Sequence, residues 1–411
     1  MSNKVYDVGI IGAGVAGVFA SLRAAENYKK NSILVLELGR PMLKRRRQLE
    51  AWLGCLPFSD GKIHLDTSKI LEIVDGRKVN PIDKWVKNKL SAAGPIKIIK
   101  DKLPNASIQK KSEELNFEIQ TNDYIQWKPE YIHKLSKIIS EITLDSENIT
   151  FSFDNEVLQI LKKDGVFELT TQLGDFKCEK IIMAVGRSGW RWAHDTYKSF
   201  DLIAKDNYAY IGIKAECSAQ YMKELNHSHC SILREDLEIG PFCWDGTVIP
   251  EDHADVVLSA FRSNEDRWKR MGKNKVIFDI IGKQSFPENG IKEMERLAKL
   301  AFLLFNDRVG REKIKSLIKE ESVLLVNLGK RFHDFDFLIN MVEEVDKVLP
   351  NLINRGYFHA PTIKPQTAPI VINSNLETEI EGMFVAGESA NLFGINNAAI
   401  TGVIAIDSCL R

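Results

Sequence analysis

The sequence contains little cysteine, and none of it is arranged in pairs. Its 411 residues include six cysteines with no C-x-x-C spacing among them: Cys55, Cys178, Cys217, Cys230, Cys243 and Cys409. A disulfide framework or a zinc ribbon needs such pairs, so neither is expected. The segment "NHSHC" at 226–230 has two histidines without a second pair of ligands nearby, and we expect no metal site. This cysteine usage favours a reduced, cytoplasmic protein.

Long apolar runs and an excess of one charge sign are also missing. The longest apolar runs, such as 300–305, are far shorter than the roughly 20 residues that cross a bilayer. The 56 Lys and Arg residues balance 56 Asp and Glu residues, which gives no general reason to expect nucleic acid or an anionic membrane as partner. No basic region with an apolar run precedes Val5, so no signal peptide is expected. These features leave an ordinary globular protein, long enough for two domains and a sizeable core.

A glycine-rich turn follows the first apolar strand, in "DVGIIGAGVAGVFASLRAAE" at 7–26. Gly12 permits a tight turn, Gly14 lets the backbone approach a pyrophosphate, and Gly17 lets the next helix pack on the strand. The helix that begins near Ala16 then directs its N-terminus towards the phosphates. This G-x-G-x-x-G pattern between a strand and a helix predicts a dinucleotide site.

An acidic residue ends the second predicted strand, in "SILVLELGR" at 32–40. Glu37 follows the apolar run 33–36, and a carboxylate there can accept hydrogen bonds from both ribose hydroxyls of an adenosine. The same charge repels a 2′-phosphate. We therefore expect FAD or NAD, and not NADP.

Two later segments favour FAD. "KCEKIIMAVGRSG" at 177–189, which contains Gly186, resembles the A-T-G segment of two-domain flavoproteins, where the chain crosses back over the nucleotide. "LETEIEGMFVAGESA" at 376–390 resembles their G-D segment, whose carboxylate takes the ribityl hydroxyls. Gly387 and Glu388 occupy that position, with Glu in place of the usual Asp. In the same superfamily the following helix, which we expect near Asn397, directs its N-terminus at the flavin pyrimidine and stabilises negative charge at N1.

Further motifs resemble one family within the glutathione reductase superfamily, the uncharacterised bacterial and archaeal FAD-dependent dehydrogenases related to fumarate-reductase-like and aminoacetone-oxidase-like flavoproteins. "ELGRPMLKRRRQLEAW" is similar to that family's E-R-G-K-P-x-x-x-R segment and places Arg45 at the family arginine. "PFSDGKIHLD", "VGRSGWRW", "YIGIKAE" and "GPFCWDGTVIPE" are similar to four more of its segments. The chain departs from the family around 244–246, where a second cysteine is lost, and after Glu388, where the ending G-E-G-A-G-Y-A-G-G-I is altered.

The resemblance also suggests candidates for the chemistry. Asp60, Lys62 and His64 lie in the loop that the family brings beside the flavin ring, where Lys62 could stabilise the reduced ring and His64 could relay a proton. The alternative is that this loop only positions the flavin through its backbone. Cys243 is either a redox thiol or a buried structural cysteine. Val157 is either a backbone contact to adenine or an ordinary strand residue.

The predicted fold is α/β, with a Rossmann-like FAD-binding domain of the glutathione reductase type and a second α+β substrate domain. The first domain is discontinuous. We assign it residues 1–75, 128–200 and 357–411, with 76–127 as a cap segment and 201–356 as the substrate domain. In the substrate domain, helices are expected near 291–305, 311–320 and 335–348. In the first domain, we expect a helix from Pro129 and a hairpin turn at 163–165.

The expected activity is hydride transfer through N5 of FAD to or from a small molecule. No second glycine fingerprint indicates a dedicated NAD(P)H domain, so electrons would come from transiently docked NAD(P)H, from a partner protein or from the substrate. A monooxygenase is one alternative, since that fold also lacks a separate NAD(P)H domain. A non-enzymatic flavoprotein sensor or scaffold is the other.

Overall fold

The computed structural model describes residues 4–41, 51–59, 61–202, 208–253, 256–262, 270–285, 290–305, 309–328, 336–364 and 370–411. The strands in chain order are β1 (Val5–Ile11), β2 (Ile33–Leu36), β3 (Lys62–His64), β4 (Ile98–Ile99), β5 (Glu118–Gln120), β6 (Tyr124–Gln126), β7 (Ile149–Ser152), β8 (Val157–Lys163), β9 (Val166–Thr171), β10 (Gly174–Met183), β11 (Tyr208–Ser218), β12 (Ser231–Arg234), β13 (Leu237–Ile239), β14 (Cys243–Trp244), β15 (Thr247–His253), β16 (Val256–Arg262), β17 (Lys275–Ser285), β18 (Gly310–Lys313), β19 (Tyr357–Lys364) and β20 (Met383–Val385). The α-helices are α1 (Val15–Asn27), α2 (Ser68–Leu71), α3 (Gly76–Ala93), α4 (Ala106–Glu114), α5 (Pro129–Leu144), α6 (Trp190–Ser199), α7 (Gly290–Leu304), α8 (Ile314–Ile318), α9 (Val323–Leu328), α10 (Asp336–Val348), α11 (Leu352–Arg355) and α12 (Ile395–Leu410).

The chain divides into two units. Residues within 1–98, 124–205 and 366–411 form the first unit, and residues within 99–123 and 206–365 form the second. Each unit contains its own sheet, and the predicted fold class is confirmed: a discontinuous α/β unit with a Rossmann-like parallel sheet, and a second unit that mixes strands and helices.

The sheet of the first unit has a parallel centre. Its strands follow the order β7-β2-β1-β10, with β20 parallel to the carboxyl half of β10 and with β9 and β8 added antiparallel. Side chains alternate between the two faces of a strand. Accordingly Ile10 packs in the apolar cluster that contains α1, α3, α5 and α12, whereas Ile11 packs in the cluster that contains α6. Burial of both faces explains why β1 is almost continuously apolar.

Two local predictions in this unit agree with the structure. The helix expected from Pro129 is α5, which buries Ile132, Leu135 and Ile139 on one face. The turn between β8 and β9 has positive φ at Asp164 (49°) and Gly165 (81°), the backbone that a two-residue hairpin turn with right-handed twist requires.

The second unit is built on an antiparallel sheet of order β18-β19-β11-β17-β13-β12-β5, with β14 also paired to β17. One face of its centre is apolar, because Ile213, Ala215 and Cys217 of β11 share a core with residues of β17. Helices α8 and α10 contribute buried residues to the same core, among them Ile314 and Val342.

Three expected boundaries are wrong. The first domain does not begin again at 357, because Tyr357–Lys364 forms β19 and pairs with β11 and β18 in the second unit's sheet. The segment 76–127 is not one cap, because α3 packs in the first unit's core while α4 and β5 belong to the second unit. The helix expected over 311–320 begins only at Ile314, since 310–313 is drawn into β18 by pairing with β19.

The other face of the second unit's sheet carries buried charge. Glu216 accepts hydrogen bonds from Arg311 Nη2 at 2.8 Å and from His359 Nε2 at 3.2 Å, and Lys275 Nζ lies 3.2 Å away. Burial alone would raise the pKa of Glu216, but these hydrogen bonds and the charges of Arg311 and Lys275 outweigh it and hold that pKa well below its ordinary value. Burial lowers the pKa of His359, so the ring is neutral at pH 7 and its Nε2–H donates to Glu216. On the same face Lys214 pairs with Asp279.

Glu216→Gln is expected to lower the free energy of unfolding by about 2 to 3 kcal/mol at pH 7, because three donors lose a buried carboxylate. A carboxyl group with a depressed folded-state pKa contributes its full stabilisation above its unfolded pKa of 4.5 and loses it progressively as pH falls from there through the folded-state pKa. Urea unfolding at pH 7 and pH 3 should therefore show a smaller pH difference for the variant than for the wild type. The exposed Glu235, changed to Gln, is the matched control. Equal pH dependence of variant and wild type would contradict the assignment.

Candidate functional site

The glycine turn joins β1 to α1. Gly12 has φ +99° and donates its N–H to the Leu36 carbonyl at 2.8 Å, which ties the turn to the end of β2. A Cβ on Gly17 would lie 1.9 Å from the Gly12 carbonyl oxygen, so this position has no room for a side chain. A Cβ on Gly14 would find nothing closer than the Ala184 carbonyl oxygen at 3.9 Å. Glycine is therefore required at 12 and 17 by the backbone geometry of the turn itself. At Gly14 a side chain would have room, and its absence leaves space in front of the turn.

The N-terminus of α1 faces this space without a capping side chain. Gly14 is the N-cap, and the first bond of the helix runs from Val18 N–H to the Gly14 carbonyl at 2.9 Å. The N–H groups of Val15, Ala16 and Gly17 therefore have no acceptor within the helix. Together with the positive end of the helix dipole, they form a site suited to a phosphate.

Glu37 closes the turn from the side of β2. Its side chain is 5% exposed, and its carboxylate accepts hydrogen bonds from Ala13 N–H at 2.6 Å and Gly39 N–H at 2.7 Å. A carboxylate has about four acceptor sites, so these two bonds are compatible with further donors. The backbone of Glu37 is held by Ser152 and Asn155, each at 3.0 Å. The structure thus places the predicted acidic residue directly beside the glycine turn.

Two more turns leave the sheet at the same edge. Ala184 N–H donates to the Ile11 carbonyl, and Ala386 N–H donates to the Met183 carbonyl, each at 2.9 Å. A Cβ on Gly186 would lie 3.6 Å from Glu388 Oε2, and one on Gly387 would lie 3.2 Å from Ala16 Cβ. Residues that are about 170 and 200 positions apart in the sequence thus meet outside the carboxyl ends of parallel strands, where open α/β sheets bind ligands.

Glu388 has a partner that the sequence analysis missed. Arg187 Nε lies 3.2 Å from Glu388 Oε1, and the two side chains are 48% and 24% exposed. Two hydrogen bonds hold the short helix that contains Glu388 in place. Ser389 Oγ donates to the Val185 carbonyl at 2.8 Å, and Tyr197 Oη donates to the Ser389 carbonyl at 3.1 Å. Arg187 follows Gly186 in the quoted "VGRSG" segment, and its charge there was the available signal.

The last helix begins close to this turn. Gly387 N–H donates to Thr401 Oγ1 of α12 at 2.9 Å. The N-cap of α12 is Gly394, again without a capping side chain, so the first turn presents open backbone donors. Asn397 lies in that first turn, as the sequence predicts. Its side-chain Nδ2 donates to the Phe393 carbonyl at 3.0 Å.

The segment 51–59 also contacts the glycine turn. Leu53 N–H donates to the Ala13 carbonyl at 2.7 Å, although Leu53 has φ 66°, a backbone conformation uncommon for a bulky side chain. Trp52 beside it packs edge-on against Phe151, with ring centroids 5.1 Å apart. No role was predicted for Trp52 or Leu53 from the sequence.

The remaining candidates are distributed as follows. Arg45 and Asp60 lie outside the described residues. Lys62 and His64 belong to β3, which pairs with β6, and Lys62 Nζ lies 5.4 Å from the ring centroid of Tyr124. These two residues are therefore on a strand rather than in an open loop.

Val157 and Cys243 are buried strand residues. Val157 is the first residue of β8, where it pairs with Thr171. It lies two positions after Asn155, whose backbone N–H donates to the Glu37 carbonyl. Cys243 lies in the second unit, is 1% exposed and pairs with Ile277. Such burial is the environment of a structural cysteine. In "NHSHC", His227 has φ 54°, and its ring lies 4.2 Å from the Trp244 ring, centroid to centroid, tilted by 35°.

The described part of the chain contains no group of three or more His, Cys, Asp or Glu residues that could hold a metal ion. None of its helices has the length and apolar character needed to cross a bilayer.

Comparisons with known proteins find similar structures at low identity. No family model and no curated protein matches this sequence. Glycine oxidase from Geobacillus kaustophilus is 14% identical, with 98% of this chain and 94% of that chain covered and a TM-score of 0.42. NikD, an amino acid oxidase of nikkomycin biosynthesis, is 10% identical over 100% and 95%, with a TM-score of 0.44. CtdE in complex with FAD is 11% identical over 99% and 83%, with a TM-score of 0.37. Likeness at this level carries no functional argument by itself.

Proposed function

We propose that the first unit binds FAD along the carboxyl edge of its parallel sheet and that the protein is a FAD-dependent oxidoreductase acting on a small molecule. The observation that carries this proposal is the meeting of the glycine turn, Glu37, Gly186 and Glu388 at one edge. Each of these was predicted from a separate stretch of sequence. A glycine turn that served packing alone would not require the other three to converge on it.

The ADP half of the cofactor fits the turn and Glu37. The N–H groups at the start of α1 and the space in front of Gly14 suit the pyrophosphate. The Glu37 carboxylate suits the ribose hydroxyls and disfavours a 2′-phosphate, because a second anion beside a buried carboxylate is repelled.

The flavin half fits the two other turns and α12. Glu388 provides acceptors for the ribityl hydroxyls, and Gly186, which has no side chain, lies beside its Oε2 atom. The open N-terminus of α12 stabilises negative charge on the ring. When bound, the flavin supplies a hydride-accepting and hydride-donating N5, the chemistry that no amino-acid side chain provides.

The catalytic roles of Lys62 and Cys243 stay predictions. Lys62 would stabilise the reduced ring by its charge, and its pairing within β3 gives it a fixed backbone for that role. The burial of Cys243 favours a structural role for this thiol.

Reconstitution followed by anaerobic reduction tests the function. Purified protein should retain or bind FAD and turn yellow, and a chain that ignores added FAD would remove the proposal. NADH or NADPH is then added without oxygen while the flavin absorbance is followed. Bleaching within seconds indicates docking of a nicotinamide donor, whereas bleaching by candidate substrates alone indicates an oxidase or dehydrogenase. A flavin that no hydride donor and no small molecule reduces would favour a sensor or scaffold.

Two alanine substitutions in the same turn should separate binding from folding. Gly14→Ala is expected to leave the melting temperature of the apoprotein within about 2 °C of the wild type, because its Cβ has room, yet to weaken FAD binding about tenfold or more. Gly17→Ala places a Cβ 1.9 Å from the Gly12 carbonyl oxygen and should destabilise the apoprotein by about 2 kcal/mol or more. Thermal melts and FAD fluorescence titrations measure the two effects. Equal destabilisation by both variants would contradict this division of roles.

A further inference from the structure

The charged face of the second unit's sheet carries more cations than carboxylates near the carboxyl end of β11. Residues that pair across strands, and residues two positions apart along a strand, point to the same face of a sheet. The register of β11, β17, β18 and β19 therefore brings six charged side chains together on this part of the face. They are the cations Lys214, Lys275, Arg311 and Lys313 and the carboxylates Glu216 and Asp279. Because His359 beside them is neutral, two positive charges are left without a counter-charge in this group.

Two of these cations share a single carboxylate oxygen. Arg311 Nη2 lies 2.8 Å from Glu216 Oε1, and Lys275 Nζ lies 3.2 Å from the same atom. Lys214 is not part of this surplus, because it is paired with Asp279. Two like charges that meet on one oxygen repel each other, and one carboxylate neutralises only one of them. A second anion beside the pair would remove this repulsion.

Arg311 is held in one orientation while part of its guanidinium stays open. Its Cζ atom lies 3.6 Å from the ring centroid of Tyr357, and its Nη2 group is bonded to Glu216. The Arg311 side chain is nevertheless 44% exposed, and its Nε and Nη1 groups have no acceptor among the described residues. A planar guanidinium that is already oriented and has N–H groups to spare suits an oxyanion, which accepts two parallel hydrogen bonds from such a fork.

We propose that Arg311, Lys275 and Lys313 form a binding site in the second unit for an oxyanion, the phosphate or carboxylate group of a small molecule. Arg311 provides the paired N–H donors. Lys275 lies on the same Glu216 oxygen, and Lys313 adds its charge two positions along β18 on the same face. The surplus of two positive charges favours a dianion, so a phosphate group is expected to bind more tightly than a single carboxylate. The site uses no residue of the proposed FAD site and does not depend on that function.

Isothermal titration calorimetry of the full-length chain with inorganic phosphate and with acetate tests the site. Both titrations are made at one ionic strength, set with sodium chloride, so that general screening is the same in each. Phosphate should bind in a saturable manner and more tightly than acetate. Tighter binding of acetate would keep the oxyanion site and assign it to a carboxylate. The absence of saturable binding by either anion would overturn the proposal.

Substitutions should change the phosphate affinity in opposite directions. Arg311→Gln is expected to weaken it about tenfold or more, the size of lost hydrogen bonds to a charged group. Lys313→Gln should weaken it about threefold to fivefold, whereas Lys315→Gln, which removes an exposed charge from the adjoining α8, should change it less than about twofold. Glu216→Gln should strengthen it about threefold or more, because the carboxylate no longer competes for Arg311 and Lys275.

The variants also show where phosphate binds. Phosphate held at the glycine turn of the first unit would bind equally to Arg311→Gln and to the wild type, and this result would overturn the proposal. Equal losses in Lys313→Gln and Lys315→Gln, or weaker binding by Glu216→Gln, would overturn it as well. Thermal melts confirm that each variant folds. If Arg311→Gln does not, Arg311→Lys takes its place, since it keeps the charge beside Glu216 and loses only the planar fork. A failure of FAD to bind would overturn the proposed function and leave this site unaffected.

Discussion

Glu37→Gln is expected to weaken FAD binding by about a hundredfold, equivalent to about 2.7 kcal/mol. The carboxylate accepts from Ala13 N–H and Gly39 N–H, and the proposal adds the adenosine ribose hydroxyls as donors. Hydrogen bonds to a charged group contribute about 1.5 to 3 kcal/mol each. A glutamine has one acceptor oxygen, and its NH2 group must face one of the two backbone donors. The apoprotein should therefore also lose about 1 to 3 kcal/mol of stability.

The neighbouring Asp154 provides the control for charge alone. It is exposed, forms an ion pair with Arg40 at 3.1 Å, and donates its backbone N–H to the Gly39 carbonyl. Asp154→Asn removes the same charge close to the same turn, yet should change FAD affinity less than about threefold. FAD fluorescence titration of the three proteins makes the comparison. A similar loss in both variants would mean that the general negative charge, and not the Glu37 carboxylate, matters for binding.

The parts of this candidate site that the sequence predicts and the structure brings together are in part encoded locally. The turn needs glycine at 12 and 17 for reasons of backbone geometry within a few residues, so their spacing is visible in the sequence. Glu37 can also be predicted from the local sequence, because it follows a continuous apolar run of the kind that forms a buried parallel strand. The places of Gly186 and Glu388 came instead from resemblance to flavoproteins. The parallel pairing of β10 with both β1 and β20 explains why the two residues meet the turn.

What the sequence did not reveal depends on long-range pairing. Nothing in the sequence of Tyr357–Lys364 indicates which sheet it joins, and only its pairing with β11 and β18 assigns it to the second unit. Segment 310–313 became a strand by pairing with β19, although the pattern beyond it indicates a helix. The ion pair of Arg187 with Glu388 joins residues 201 positions apart, so the charge of Arg187 in its own segment does not identify its partner. Such contacts override local propensity because the sheet ladder is formed with distant strands.

The second large effect on FAD affinity is expected at the Glu388–Arg187 ion pair, and a double-mutant cycle measures it. Glu388→Ala should weaken FAD binding by about thirtyfold, because the ribityl hydroxyls lose a charged acceptor. Arg187→Ala alone should weaken it about threefold to fivefold, since a half-exposed ion pair contributes at most about 1 kcal/mol to holding Glu388 in place. If Arg187 acts by positioning Glu388, its removal should have no further effect in the Glu388→Ala background.

The alternative role of Arg187 predicts a different cycle. A guanidinium that contacts the pyrophosphate directly would give the same loss in both backgrounds, and the two effects would add. The contribution of Arg187 to FAD affinity would also fall as salt is raised. Salt screens a partly exposed cation from a phosphate more strongly than it weakens a directly hydrogen-bonded ion pair. FAD titrations of the four proteins at low and high salt separate the two roles. Additive effects that fade with salt would reassign Arg187 from positioning Glu388 to binding the phosphates.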